Sequence, residues 1–341
     1  MRLVVFERRG DGGHGRGRRR ETDPGHSMGA AALGFETLEG VTQGQRRIGA
    51  LLDGAGQADT VVDLNRALAV KLAAEDAGAP EAEADSLVPA QISLFLRRLP
   101  DSLLAAQSAL DFVSRSLGRY DAPDLQSAGV VVPSRSVRLA APLQSPGKLV
   151  GVTEAGEPPA LFLVAPSAVG GPEDDLRLPD TAELSVDAQI AAVIGRRTRG
   201  VAPEAALASI AGYCAALGFR AGGPNAPIGT IRYSGDGFVP LGPALVTADE
   251  APDPHDLRVE LRVSGRARET THTKELPLPI GELVSRASEL MTLLPGDVVL
   301  SGAPRRAGER SPVLRDGDVV ELAVERLGRL SVYLRRRGSD D

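Results

Sequence analysis

Two polar side chains, Asp187 and Gln189, stand in Ser185-Val186-Asp187-Ala188-Gln189, directly before the apolar run Ile190-Ala191-Ala192-Val193-Ile194 and Gly195. Asp187 offers a carboxylate. Gln189 and, further along, Tyr233 are neutral at pH 7 and can polarise a carbonyl by hydrogen bonding without a metal. Arg220, Arg305 and Arg306 supply the cations that an anion clamp needs. Around these residues most catalytic sets are missing. No G-x-S-x-G elbow presents a nucleophile, and no G-x-x-x-x-G-K-[ST] loop or G-x-G-x-x-G turn cradles a phosphate. Cys214 is the only cysteine, which excludes an intramolecular disulfide and a cysteine metal cluster. His255 and His272 are the only histidines in the C-terminal part, and the Pro-Asp-Pro-His-Asp turn around His255 is expected to be exposed.

The elements that must position these groups fall into two blocks. Residues 3–6 read as a short strand. Residues 8–27 then hold Gly, Arg and His with almost no apolar content. A basic nucleic-acid or phosphate-binding arm is one reading of that segment. The preferred one is an uncommitted loop, or an extension ahead of a start at Met28. Residues 47–54 read as a strand into a turn and 60–65 as a second strand. Helices are expected over 66–77, 89–98 and 101–117, the last with Leu103, Ala106, Leu110, Val113 and Leu117 on one side. A Pro-rich stretch at 140–148 marks a boundary. Beyond it, short apolar strands at 161–164, 189–194, 244–247, 257–263, 297–300, 319–324 and 330–334 alternate with Gly/Pro turns, and helices fit at about 203–217 and 279–292. Many short strands and few helices indicate stacked or closed sheets.

Bulk composition agrees. A chain of 341 residues supports two domains, and 42% hydrophobic with 25% charged residues is the composition of a globular protein. A net charge of −6 and a pI near 5.5 argue against a nucleic-acid partner. Nothing approaches the roughly 18 consecutive apolar residues of a membrane helix. The N-terminus charges too quickly for a signal peptide, so a cytoplasmic location is expected.

The run Ser185–Gly195, together with Pro240-Leu241-Gly242-Pro243 and Leu294-Pro295-Gly296-Asp297-Val298-Val299-Leu300-Ser301-Gly302, resembles the fumarylacetoacetate hydrolase superfamily. The resemblance covers residues 140–335 strongly and 46–120 weakly. It implies a layered β-roll and a divalent cation, Mg²⁺ or Ca²⁺, held by oxygen ligands from E-x-E-L-A-x-V-I-G. That cation polarises a carbonyl or enolate oxygen. Here Asp187 and Gln189 stand at the two ligand positions. The third carboxylate is expected in G-Y-x-x-x-N-D-V-S-x-R, and the matching run Gly212–Gly222 has Leu217 and Gly218 instead. The family loop N-Y-x-x-H-x-x-E, whose His and Glu move protons, is shortened here and holds no histidine, although Glu154 and Glu157 are nearby. The lysine before S-F-D is replaced by Tyr233, and the loop threonine by Ala303.

These observations amount to an α+β protein whose mostly β C-terminal domain (140–341) is an FAH-type layered β-roll. A small α/β N-terminal domain (1–139) accompanies it. Conserving the family pocket would place Asp187, Gln189, Gly218, Tyr233 and Thr273 around a ligand, with Arg220 or Arg305 near the mouth. Catalytic roles then fall to Tyr233, Gln189 and Asp187. Leu217, Gly218 and Ala303 are expected to widen and dry that pocket for a bulky substrate. The favoured function is a metal-independent enzyme that folds a polyketide-like or dicarbonyl intermediate for cyclisation, cycloaddition, dehydration or rearrangement. The alternatives are a metal-dependent hydrolase, hydratase or decarboxylase of a 2-oxo acid or β-diketone, with Mg²⁺ or Ca²⁺ weakly at Asp187, and a non-catalytic binding partner. No other cofactor is expected. A small molecule and a second copy of the chain, in a two-fold homodimer, are the expected partners.

Overall fold

The computed structural model describes residues 1–9, 46–52, 60–117, 122–153, 159–172, 174–178, 183–223, 229–304 and 311–336. Most of the basic segment after Arg9, Arg305 with Arg306, and Glu154 with Glu157 lie outside the described residues. The chain divides into two compact units, Val5–Arg138 and Met1–Val4 with Leu139–Asp341.

The first strand, β1 (Arg2–Arg8), buries Leu3, Val4, Val5 and Phe6. A chain begun at Met28 would lack this strand. In the N-terminal unit β2 (Arg47–Leu52), β3 (Thr60–Asp63) and β4 (Val131–Pro133) form an antiparallel ladder. Helices α1 (Leu64–Ala74), α2 (Pro80–Leu87), α3 (Ile92–Arg97), α4 (Asp101–Ser116) and α5 (Ala122–Ser127) follow β3, and β5 (Val137–Ala140) closes the segment. Asp63 ends β3 and caps α1 by accepting from the Arg66 N–H at 3.1 Å. Its carboxylate also takes the Arg47 guanidinium at 2.5 and 3.1 Å, and Arg47 reaches Asn65 Oδ1 at 3.0 Å. This buried charge is fully answered, which is the condition for burying it.

The C-terminal unit continues with β6 (Leu149–Val152), β7 (Leu161–Val164), β8 (Val169–Gly170), β9 (Asp175–Leu178) and β10 (Glu183–Ile194). Helix α6 (Pro203–Ala206) leads to β11 (Ile210–Gly222), then β12 (Val239–Thr247), β13 (Arg258–Val263) and β14 (Arg266–His272). Helix α7 (Ile280–Leu290) and β15 (Val298–Leu300), β16 (Val313–Leu314), β17 (Val319–Val324) and β18 (Gly328–Arg336) complete it. One sheet of this unit runs β12-β11-β10-β15-β6-β7 and a second runs β14-β13-β17-β18-β9. They lie against each other through β11 with β17 and β12 with β18. This is the expected layered arrangement of mostly β structure.

One expected helix takes another form, and α2, α5, β4 and β14 were not expected. The helix expected over 203–217 stops at Ala206, and its second half is the long strand β11. Nearly every residue of β11 is buried. A strand covered on both faces loses the polar–apolar alternation that distinguishes it from a buried helix. Among the described residues no helix is long and apolar enough to cross a membrane.

Candidate functional site

Strands β10 and β11 pair antiparallel from Glu183↔Gly222 to Val193↔Gly212, and this register sets Asp187 directly opposite Gly218. Asp187 and Gln189 are two residues apart on one strand and therefore share a face. Leu217 pairs with Ala188 on the opposite face, so it does not shape this site. Asp187 is 5% exposed. Ser311 Oγ donates to its Oδ1 at 2.6 Å, Arg220 Nη2 donates to that same Ser311 oxygen at 3.1 Å, and Arg220 Nε donates to Ser185 Oγ at 3.3 Å. Arg220 thus reaches Asp187 through a hydroxyl. The Ser311 segment is tied to β10 by the pairs Leu184↔Leu314 and Ser185↔Val313.

Gln189 is held from the other side. Ser301 is fixed on β10 by Ile190 N–H donating to its Oγ at 3.0 Å and by its own N–H donating to Ile190 O at 2.9 Å. Gly302 follows with φ of +72°, a backbone form that glycine adopts without strain. Its N–H donates to Gln189 Oε1 at 3.2 Å. That bond orients the amide so that Nε2 occupies the notch above Gly218. A Cβ built at position 218 would lie 2.1 Å from Nε2. The missing side chain at 218 and the amide at 189 are therefore two halves of one packing solution.

These groups line a cleft together with Gly151, Val152, Phe162, Tyr233 and Ala303. Tyr233 ends a 3₁₀ turn, Gly229–Tyr233, and its ring lies 4.8 Å from that of Phe162 at an angle of 37°. The cleft and its mouth enclose about 410 Å³, but the walls leave only about 30 Å³ for a water-sized molecule. The expectation of a widened, greasy pocket is corrected: Gln189 fills what Gly218 vacates, and two aromatic rings close the other side.

Of the residues singled out from sequence, Asp187, Gln189, Gly218 and Tyr233 come together in the cleft. Arg220 stands behind Asp187 and does not line it. Thr273 is spent elsewhere, its buried hydroxyl accepting from Leu257 N–H at 2.9 Å, and it is not a wall of the cleft. Arg305 lies outside the described residues. Neither C-terminal histidine joins the site. His255 is half-buried, not exposed as its turn suggested, and its Nε2 accepts from Ile280 N–H at 2.9 Å at the start of α7. His272 Nδ1 accepts from Lys274 N–H at 3.3 Å. Phe162 was not singled out from sequence. Its signal is the small residue opposite it, Gly151, with which it pairs across β6 and β7.

The donor set does not fit a hard divalent cation. Among the described residues that line the cleft one carboxylate is present, the amide oxygen of Gln189 is engaged by Gly302, and position 218 has no side chain. Among the described residues no group of three His, Cys, Asp or Glu side chains could hold a metal ion. Mg²⁺ or Ca²⁺ takes six or more oxygen ligands, with carboxylates offsetting its dehydration. A single carboxylate falls short of that.

A family model described as fumarylacetoacetate (FAA) hydrolase, C-terminal, matches residues 140–335. The chain is 31% identical over 267 residues to a mitochondrial oxaloacetate tautomerase of Xenopus laevis, across 72% of this chain and 79% of that protein. It is 32% identical over 224 residues to a maleylpyruvate hydrolase of Aquipseudomonas alcaligenes, across 58% and 76% of the two. The crystal structure of a maleylpyruvate hydrolase from Sphingobium, 24% identical, covers 85% of this chain and 96% of its own with a TM-score of 0.63, a likeness of fold.

Proposed function

Starting from the fact that this chain belongs to the fumarylacetoacetate hydrolase family, we propose that it is an enzyme of short 2-oxo acids or β-dicarbonyls that moves a proton between their keto and enol forms. The observation that carries this reading is the convergence of Asp187, Gln189 and Tyr233 on one cleft too narrow for a bulky substrate. A polyketide-like intermediate finds little support in a space of about 30 Å³, whereas a compact substrate needs to insert only its oxo or enol end. The activities named for the relatives also speak for oxo acids over cyclisation.

The chemistry needs one base and a polarised oxygen. Asp187 takes the proton from the carbon flanking the oxo group. The C–H electron pair becomes the new C=C bond, and the carbonyl π pair moves to oxygen. The Tyr233 hydroxyl and the Gln189 amide N–H donate to that oxygen as charge develops. Asp187 then returns its proton to the oxygen, so nothing is consumed. Arg220, acting through Ser311, orients the carboxylate. The reverse sequence converts enol to keto.

The test follows decay of the oxaloacetate enol absorbance, with chelator and with added Mg²⁺. We expect acceleration by the parent protein that persists in chelator and falls by about 10²-fold or more in Asp187→Asn. No acceleration over buffer would overturn the reading. Activity that appears only with Mg²⁺, or cleavage of a β-diketone, would replace it with metal-dependent hydrolysis.

A further inference from the structure

We infer that Phe162 is the side chain that sets the size limit of the cleft. The walls of that cleft are unequal. Asp187, Gln189 and Gly218 stand on β10 and β11, strands paired along nearly their whole length and central in their sheet. Moving them means breaking a ladder. Phe162 stands on β7, a strand of only four residues that ends the sheet order and, among the described strands, pairs with β6 alone. Its neighbour Leu163 is 54% exposed. The Phe162 ring itself is only half-buried, and no hydrogen bond can hold a phenyl group.

What holds the ring is shape. Phe162 and Gly151 are direct cross-strand partners, so their side-chain positions share a face. Because residue 151 lacks a side chain, the ring folds down over it. A Cβ at 151 would come within 2.6 Å of the ring Cζ and 2.9 Å of Cε2. The ring also meets Tyr233, its centroid 4.8 Å away. Phe162 is therefore packed against a glycine and a tyrosine, and it takes up space that the cleft would otherwise offer. Removing the phenyl ring from this wall frees about the volume of a benzene ring at the cleft, beside Val152, Val164 and Tyr233; enclosed apolar cavities of that size bind benzene.

The substrate class in this inference rests on the keto–enol reading, but the wall itself does not, and two measurements keep them apart. The first uses fluorobenzene as a probe, followed by ¹⁹F NMR. Saturable broadening or shift of its signal is expected with Phe162→Ala and absent with the parent protein, with an intermediate response for Phe162→Leu, which keeps the strand packed should the alanine variant lose its fold. Equal binding by the parent, or no binding by a folded Phe162→Ala and by Phe162→Leu, overturns the size limit. The second compares kcat/KM for the enols of phenylpyruvate and oxaloacetate. A single methylene in an apolar pocket discriminates by about 10–200-fold, so the phenylpyruvate-to-oxaloacetate ratio is expected to rise by about tenfold or more in Phe162→Ala. A parent protein that uses phenylpyruvate as well as oxaloacetate overturns the inference. Fluorobenzene binding by the variant alone, with no turnover of either enol by any form, upholds the wall and removes the keto–enol reading.

Discussion

Asp187 and Asp297 are both buried carboxylates of the C-terminal unit, and they are built for different ends. Asp297 is tied on every side. Its Oδ1 accepts from Lys148 N–H at 2.8 Å, and its Oδ2 accepts from Lys148 Nζ at 2.9 Å and from Leu294 N–H at 2.8 Å. Its backbone oxygen takes the N–H of Ile194 at 2.9 Å. It joins the turn before β15 to the start of β6 and lines no part of the cleft. Asp187 instead takes a hydroxyl that is itself held by an arginine, and it faces the cleft. A motif carboxylate is therefore read by what it borders. One that meets only backbone and a fixed cation is architecture, and one that borders open space is available to chemistry.

The sharpest way to break this comparison is to remove the charge at each position. Asp297→Asn should cost about 2–3 kcal/mol, below the range for a fully buried pair because Lys148 is 28% exposed. A Tm lower by roughly 4–12 °C would report it. Asp187→Asn should cost less stability than Asp297→Asn while removing most of the turnover. Equal losses of Tm in the two variants would erase the distinction.

A smaller effect tests the amide beside Asp187. In Gly218→Ala the new methyl meets Gln189 Nε2, the far end of a flexible side chain, so the amide swings away at little cost in stability. Turnover should fall about tenfold, equivalent to about 1.4 kcal/mol of lost transition-state stabilisation. Because the two residues share one notch, Gly218→Ala added to Gln189→Ala should bring little further loss, a non-additivity that a double-mutant cycle measures. Additive losses would mean that Gly218 matters for some other reason.

The smallest effect concerns Cys214, which sits on β11 with no exposure at all. Burial pushes its thiol well above the usual range, so the thiolate is scarce at neutral pH. Iodoacetamide should leave the native protein unmodified and label it fully in denaturant. Rapid labelling of the native state would show that β11 opens far more readily than its paired neighbours suggest.

Much of this was legible in the residues. The strand at 60–65 and the helix after it were read from spacing, and the run Leu294–Gly302 carried part of the family resemblance. The β-roll was implied by the family resemblance carried by Ser185–Gly195, Pro240–Pro243 and Leu294–Gly302. Three features were hidden, each for a physical reason. Strand β11 has no polar face to betray its period. Thr273 sits in an expected place, but its hydroxyl is consumed by a backbone N–H from Leu257, a partner 16 positions earlier. The notch at Gly218 depends on a rotamer of Gln189 set by Gly302, 113 positions away, and pairwise complementarity of that kind is not written in spacing.

The C-terminal unit is discontinuous along the chain, since Met1–Val4 belongs to it with Leu139–Asp341. Within it Arg2 pairs with Val246 and Leu3 with Leu245. On the ribosome, at about 5–20 residues per second, this segment must wait roughly 10–50 s for its sheet partner to emerge. Until then the apolar residues Leu3 and Val4 have no home in their unit. A fragment cut to begin at Leu139 would lack this segment permanently, presenting β12 as an open edge to other chains. Such a fragment should aggregate during synthesis, and fusing the β1 segment ahead of Leu139 through a flexible linker should restore its yield.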